Sequence, residues 1–199
     1  MTAPSIGGRE SGPPRRPAYF GKLYRTLTKP VRLDILKILL VDDNHHTRVM
    51  LAEILRAVGI NQVFEAGDGA EGLQMMRRHP VDIVMTDLAM SPLDGIDFVR
   101  LLRNSPDSPN QMIPVIMITG HLTIRRIAEA RDAGVNEFVA KPITARNVLD
   151  RLQLIIDHPR PFVRTDDYFG PDRRRRIDPD YAGPMRRKAD GPQPRVRGA

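Results

Sequence analysis

The sequence predicts an open α/β domain, a doubly wound sheet of five parallel strands with helices on both faces. Three observations predict it. Short apolar runs alternate with amphipathic stretches between residues 37 and 158. The first run is uninterrupted, as a strand buried on both faces requires. The strand and helix unit then recurs until five have been laid down, the pattern that crossover connections impose on a parallel sheet.

Residues 37–41 open the domain with Ile38, Leu39, Leu40 and Val41 as the first strand. After Asp42-Asp43-Asn44, a helical period places Val49, Met50, Ile54, Leu55 and Val58 on one side, and Gly59 stops it. Residues 62–66 read as a strand and 70–78 as a helix; 82–87 and 95–103 form the next pair. Strand 114–119, helix 123–133, strand 137–140 and helix 145–158 complete the domain.

Composition bounds the function. The 199 residues are 41% hydrophobic, enough to bury a core, which excludes wholesale disorder. Cysteine is absent, so a disulfide scaffold and a thiolate zinc site are excluded, and a reducing compartment fits. No apolar run approaches the roughly 18 residues that cross a bilayer. The first thirty residues carry Arg9, Arg15, Arg16, Lys22, Arg25 and Lys29 without a continuous apolar stretch. A cytoplasmic protein is expected.

The net charge of +7 points toward nucleic acid until its distribution is read. Residues 1–36 hold seven Lys/Arg against two acids, and residues 158–199 hold eleven against six, while residues 37–157 hold thirteen against sixteen. Five prolines lie in the first segment and seven in the last. The expected organisation is a basic N-terminal extension over 1–35, an acidic globule over 36–157 and a basic tail over 158–199, the arms largely disordered.

Ligands of open parallel sheets bind at the carboxyl ends of the strands. There the first strand ends in Asp42-Asp43, the third in Asp87, the fourth in Thr119 and the fifth in Lys141-Pro142. Three carboxylates drawn together repel one another, and a divalent cation lets all three stay ionised. An all-oxygen shell with room for water suits magnesium. Read separately, Asp42-Asp43-Asn44 is a helix cap, Asp87 a loop residue, Thr119 a turn residue and Lys141 a surface charge. Their order on successive strand ends argues for one site. His45 and His46 are discounted as zinc ligands, since adjacent residues rarely reach one ion and the carboxylates favour a hard cation.

With these residues in place, the segment from about 36 to 157 resembles the receiver domain of bacterial two-component response regulators, a flavodoxin-like fold. The motifs carrying the resemblance are Val41-Asp42-Asp43-Asn44, Met85-Thr86-Asp87-Leu88-Ala89-Met90, Leu93-Asp94-Gly95, Ile118-Thr119-Gly120 and Phe138-Val139-Ala140-Lys141-Pro142. The resemblance implies that Asp87 accepts a phosphoryl group from a phosphohistidine. It implies magnesium held by Asp43 directly, by Asp42 largely through water, by Asp87 and by the Ala89 carbonyl. Lys141 would offset phosphoryl charge, and Thr119 would donate to it only once phosphate is present. Phe138 would then turn inward and reshape the face of the fourth helix, fifth strand and fifth helix. A cis peptide before Pro142 is also implied.

Departures from the family pattern are small. Ser91 stands where proline is commoner, with Pro92 one place along, so a different loop path after Asp87 is expected. His121, two residues after Thr119, is a candidate for shielding the water that attacks the phosphoryl group.

The arms show two features. Tyr19, Phe20, Leu23, Tyr24 and Leu27 fall at helical spacing until Pro30, a short basic amphipathic helix that could dock on the globule, a membrane surface or a partner. In the tail, Tyr-x-Gly-Pro-x-Arg-Arg occurs from Tyr168 and again from Tyr181, and it reads either as solvated tail or as a docking motif.

The expected function is a phosphoacceptor response regulator, not an enzyme, phosphorylated at Asp87 by a histidine kinase or histidine phosphotransfer protein and acting on an output protein. The alternatives are a nucleic-acid-binding regulator using the basic arms and a phosphate-independent adaptor. Six acids among the tail cations, and no helix-turn-helix after the globule, weigh against the first. Intact Asp42, Asp43, Asp87, Thr119 and Lys141 weigh against the second.

Overall fold

The computed structural model describes residues 32–120, 123–173 and 195–196. A 3₁₀ turn at Leu33–Ile35 leads into β1 (Lys37–Val41). There follow α1 (His45–Ala57), β2 (Gln62–Ala66), α2 (Gly69–Arg78), β3 (Ile83–Asp87), α3 (Gly95–Asn104) and β4 (Val115–Thr119). Then come α4 (Ile124–Ala133), β5 (Glu137–Ala140) and α5 (Ala145–Asp157). Every element expected between residues 37 and 158 is present, with some ends shifted by a residue.

The caps show why the helices begin where they do. Asn44, Asp68, Asp94, Thr123 and Thr144 each stand in extended conformation and accept an N–H of the first turn, satisfying donors that a helix start leaves orphaned. Gly134 ends α4 at φ 102°, a left-handed position that a side chain resists.

The five strands pair in parallel in the order β2-β1-β3-β4-β5. Alternation along them explains the continuous apolar runs. Leu39, Val41, Val84, Val115 and Met117 join a buried cluster with Met76 of α2, Phe98 and Leu102 of α3, and Ala130 of α4. Their neighbours Ile38, Leu40, Met85, Ile116 and Ile118 point the other way and are equally buried. Leu51 and Leu55 of α1, and Val148 and Leu152 of α5, are buried as well. Strand order reverses at β1, so the crevice for a ligand opens between the carboxyl ends of β1 and β3.

Beyond the expected boundary at 157 the chain folds back rather than leaving the domain. β6 (Phe162–Arg164) and β7 (Phe169–Pro171) form an antiparallel hairpin, and Arg195–Val196 (β8) pairs with the other edge of β6. Phe162, Val163, Tyr168 and Phe169 are buried. The amphipathic stretch 19–27 and the second tail repeat lie outside the described residues, whereas most of the first repeat is the hairpin itself.

The hairpin closes over an unusual core residue. Arg103, in the last turn of α3, has no exposed surface. Its guanidinium donates to the carbonyls of Gly134 (3.0 Å) and Gln111 (2.8 Å) and to Asn136 Oδ1 (3.3 Å), while the Phe162 ring lies 5.0 Å away. Burial pushes its pKa down to about 9, so it remains a cation at neutral pH.

Candidate functional site

β1 delivers Asp42 into the crevice, and the Asn44 N–H donates to its Oδ1 at 2.8 Å. The other carboxylate oxygen, Oδ2, is buried without a hydrogen-bond partner. Burial above all pushes the Asp42 pKa up; the Asn44 N–H opposes this, the charges of Asp87 and Asp43 reinforce it, and Lys141 works against it. Asp43, next in the chain, is exposed and accepts the Ser91 N–H at Oδ2 (3.3 Å), tying the first acidic turn to the loop after β3.

Asp87 is the last residue of β3 and is 4% exposed. Its Oδ2 accepts the Ala89 N–H (3.0 Å). Lys141 Nζ stands 2.7 Å from Oδ1 as an ion pair, reached from just beyond the end of β5. Oδ1 is buried, and the Lys141 ammonium is the charge that faces it. Thr119 ends β4, 2% exposed, and its carbonyl accepts the Lys141 N–H (2.9 Å). The Phe138 ring is half-buried against the core cluster.

Asp42, Asp87, Thr119 and Lys141 are thus brought to one end of the sheet. Asp43 joins them at the rim with its carboxylate turned to Ser91, and among the described residues no three acids or histidines close on a single point. The donor set still fits a hard cation: every candidate ligand is oxygen, and the Asp42 Oδ2 is a buried anion lacking a partner.

The peptide before Pro142 is cis, as the resemblance implied, and so is Ser91–Pro92 in the loop after β3. His121 lies outside the described residues. His45 Nδ1 is 3.3 Å from an Arg48 guanidinium nitrogen, and among the described residues no metal-like grouping involves His46.

Three supporting residues were given no role in the sequence reading, although Gly95 was part of one of its motifs. A Cβ at Gly95 would lie 2.1 Å from the Asp87 carbonyl oxygen, so only glycine lets α3 start this close to the acceptor. Arg48 donates to the Asp42 carbonyl (2.7 Å) and pairs with Glu65 (3.3 Å), bracing the acidic turn. Arg126 of α4 pairs with Asp94 (2.9 Å), which caps α3. The Asp-Gly pair at the start of α3 was a readable signal for the first; the two arginines gave none, because their partners lie on other elements.

Residues 38–153 match the response regulator receiver domain. The chain belongs to this family. Over 122 residues it is 37% identical to the chemotaxis protein CheY-3 of Vibrio cholerae, an alignment covering 61% of this chain and 92% of the relative. Chemotaxis protein CheY of Pseudomonas aeruginosa is 35% identical over 122 residues, 61% of this chain and 97% of that protein. Among solved structures, chemotaxis protein CheY4 of Vibrio cholerae aligns with a TM-score of 0.55 and 28% identity, covering 59% of this chain and 96% of that one. The protein is therefore a receiver-domain response regulator of two-component signalling, and both basic extensions lie outside the matched residues. Among the described residues no helix is long and apolar enough to cross a membrane.

Proposed function

We propose that this receiver is phosphorylated on Asp87, in a magnesium-dependent reaction, by a phosphohistidine of a sensor kinase or a histidine phosphotransfer protein. The observation that carries the reading is the Asp87 Oδ1, a buried anionic oxygen at a strand end with Lys141 Nζ 2.7 Å away. That oxygen attacks phosphorus, and the bond from phosphorus to the donor imidazole nitrogen breaks as the carboxyl phosphate forms.

Magnesium would be held by Asp43, Asp87, the Ala89 carbonyl and, through water, Asp42, and when bound it offsets charge on the phosphoryl oxygens. Lys141 does the same from the β5 side. The Thr119 hydroxyl donates to a phosphoryl oxygen, and the movement this requires lets Phe138 settle inward and changes the surface offered to an output protein. The receiver spans residues 36–157 and works in the cytoplasm, with the segments 1–35 and 158–199 as extensions, the second contributing a folded hairpin to the domain. The chain acts as a phosphoacceptor and assists only its own phosphorylation and dephosphorylation.

Incubation with acetyl phosphate and magnesium, followed by intact mass, is expected to add one phosphoryl group. Asp87→Asn and excess EDTA are each expected to abolish the adduct. An adduct that survives Asp87→Asn would move the acceptor elsewhere.

A further inference from the structure

The hairpin docks on the undersides of two elements whose opposite ends meet the phosphoacceptor site. Its Arg173 pairs with Asp132 in the last turn of α4. A Cβ on its Gly170 would lie 3.0 Å from the Gly134 Cα, at the end of the same helix. Arg160, leading into β6, stands 3.3 Å from Glu137, the buried first residue of β5, which Arg151 of α5 also faces at 3.7 Å.

Both elements are short and stiff. β5 has four residues, so Glu137 and Lys141 lie roughly 13 Å apart along one strand. Lys141 touches Asp87 at the upper end, and Glu137 is paired at the lower with Arg160, which leads into the hairpin. α4 is a ten-residue helix entered through the loop after Thr119 and is tied to the Asp87 side by Arg126 and Asp94. β5 and the Asp94–Arg126 pair thus give a contiguous set of contacts between the surroundings of Asp87 and the hairpin.

The hairpin is itself a compact unit. The Tyr168 hydroxyl donates to the Pro171 carbonyl (2.7 Å), and the Arg173 guanidinium covers the Tyr168 ring at 4.2 Å. The Asp172 N–H donates to the Pro161 carbonyl (2.8 Å). The repeated Tyr, Gly, Pro and Arg each have a place in this unit.

We infer that residues 160–173 are an intramolecular partner of the switch: docked beneath α4 and β5, they hold the unphosphorylated arrangement, and phosphorylation of Asp87 loosens them. The inference rests on the phosphoacceptor reading above. Linkage makes the coupling reciprocal, so a loosened hairpin favours the phosphorylated arrangement.

The probe is beryllofluoride with magnesium, added to the full chain. Hydrogen exchange at the Thr165 and Asp172 amides is expected to quicken at least threefold on loading, while the β1 and β3 amides stay protected. Arg173→Ala and Asp132→Asn are each expected to tighten beryllofluoride binding about threefold or more. The double variant is expected to add little, because both remove one contact. Unchanged exchange at both amides, with equal affinity in all variants, would overturn the inference and leave the acceptor reading standing. Failure of the unaltered chain to bind beryllofluoride would remove both.

Discussion

Strand ends in a parallel sheet converge whatever lies between them, so Asp42, Asp87, Thr119 and Lys141 carry meaning as a set and little one by one. Arg103 lacks even that context. As one arginine among many it reads as a solvated charge at the end of a helix, and only the fold reveals that the Gly134 and Gln111 carbonyls and Asn136 surround it. Arg103→Ala leaves those acceptors buried without their donor and opens a cavity, and is expected to cost about 3 kcal/mol in urea denaturation. Gly95→Ala pushes a methyl into the Asp87 carbonyl. It is expected to destabilise by roughly 2 kcal/mol and to slow phosphorylation by acetyl phosphate, since the peptide displaced is that of the acceptor itself.

The elements followed from periodicity and from caps that are plain in the sequence, such as Asp68, Asp94 and Thr144. What periodicity could not supply is which helices are tied to which. Asp94 caps α3 with one oxygen and takes the Arg126 guanidinium with the other. Burial opposes its ionisation, but the Asp97 N–H and Arg126 outweigh it and hold the carboxyl below the usual carboxylate range. A carboxyl with a depressed folded pKa stabilises above its unfolded value, near 3.9, and loses that contribution as pH falls through the folded value. Asp94→Ala is therefore expected to cost about 1 kcal/mol at pH 7, mostly as a lost cap with a small screened share from the half-exposed arginine. The difference from the unaltered chain should shrink in urea melts near pH 3. The hairpin was the element least legible: three-residue strands between Pro159, Pro161 and Pro171 carry little periodicity, and the repeat pointed to docking without saying that one copy docks on its own domain.

For the molecule as a whole, charge partition gave the division into globule and extensions, and the described structure moves part of the tail into the globule. Tyr168 reports that incorporation. Burial above all raises its phenol pKa to about 12, with Arg173 and Arg103 opposing the rise. A group whose folded pKa is raised contributes stability fully present below its unfolded pKa, near 10, and lost as pH climbs through the folded value. Absorbance titration at 295 nm is expected to show a tyrosinate step near pH 12 that disappears in Tyr168→Phe, and the hairpin amides should lose protection over the same range. The closure over Arg103 also sets an order of events in synthesis. The ribosome delivers Arg103 before any of its acceptors, with Gly134 arriving 31 residues later and Asn136 33 residues later, and Phe162 emerges later still. A nascent chain halted after β3 and α3 therefore holds a hydrated guanidinium where the finished protein has a dry one, and the end of α3 gains its acceptors only once Gly134 and Asn136 have left the tunnel, with Phe162 covering it last.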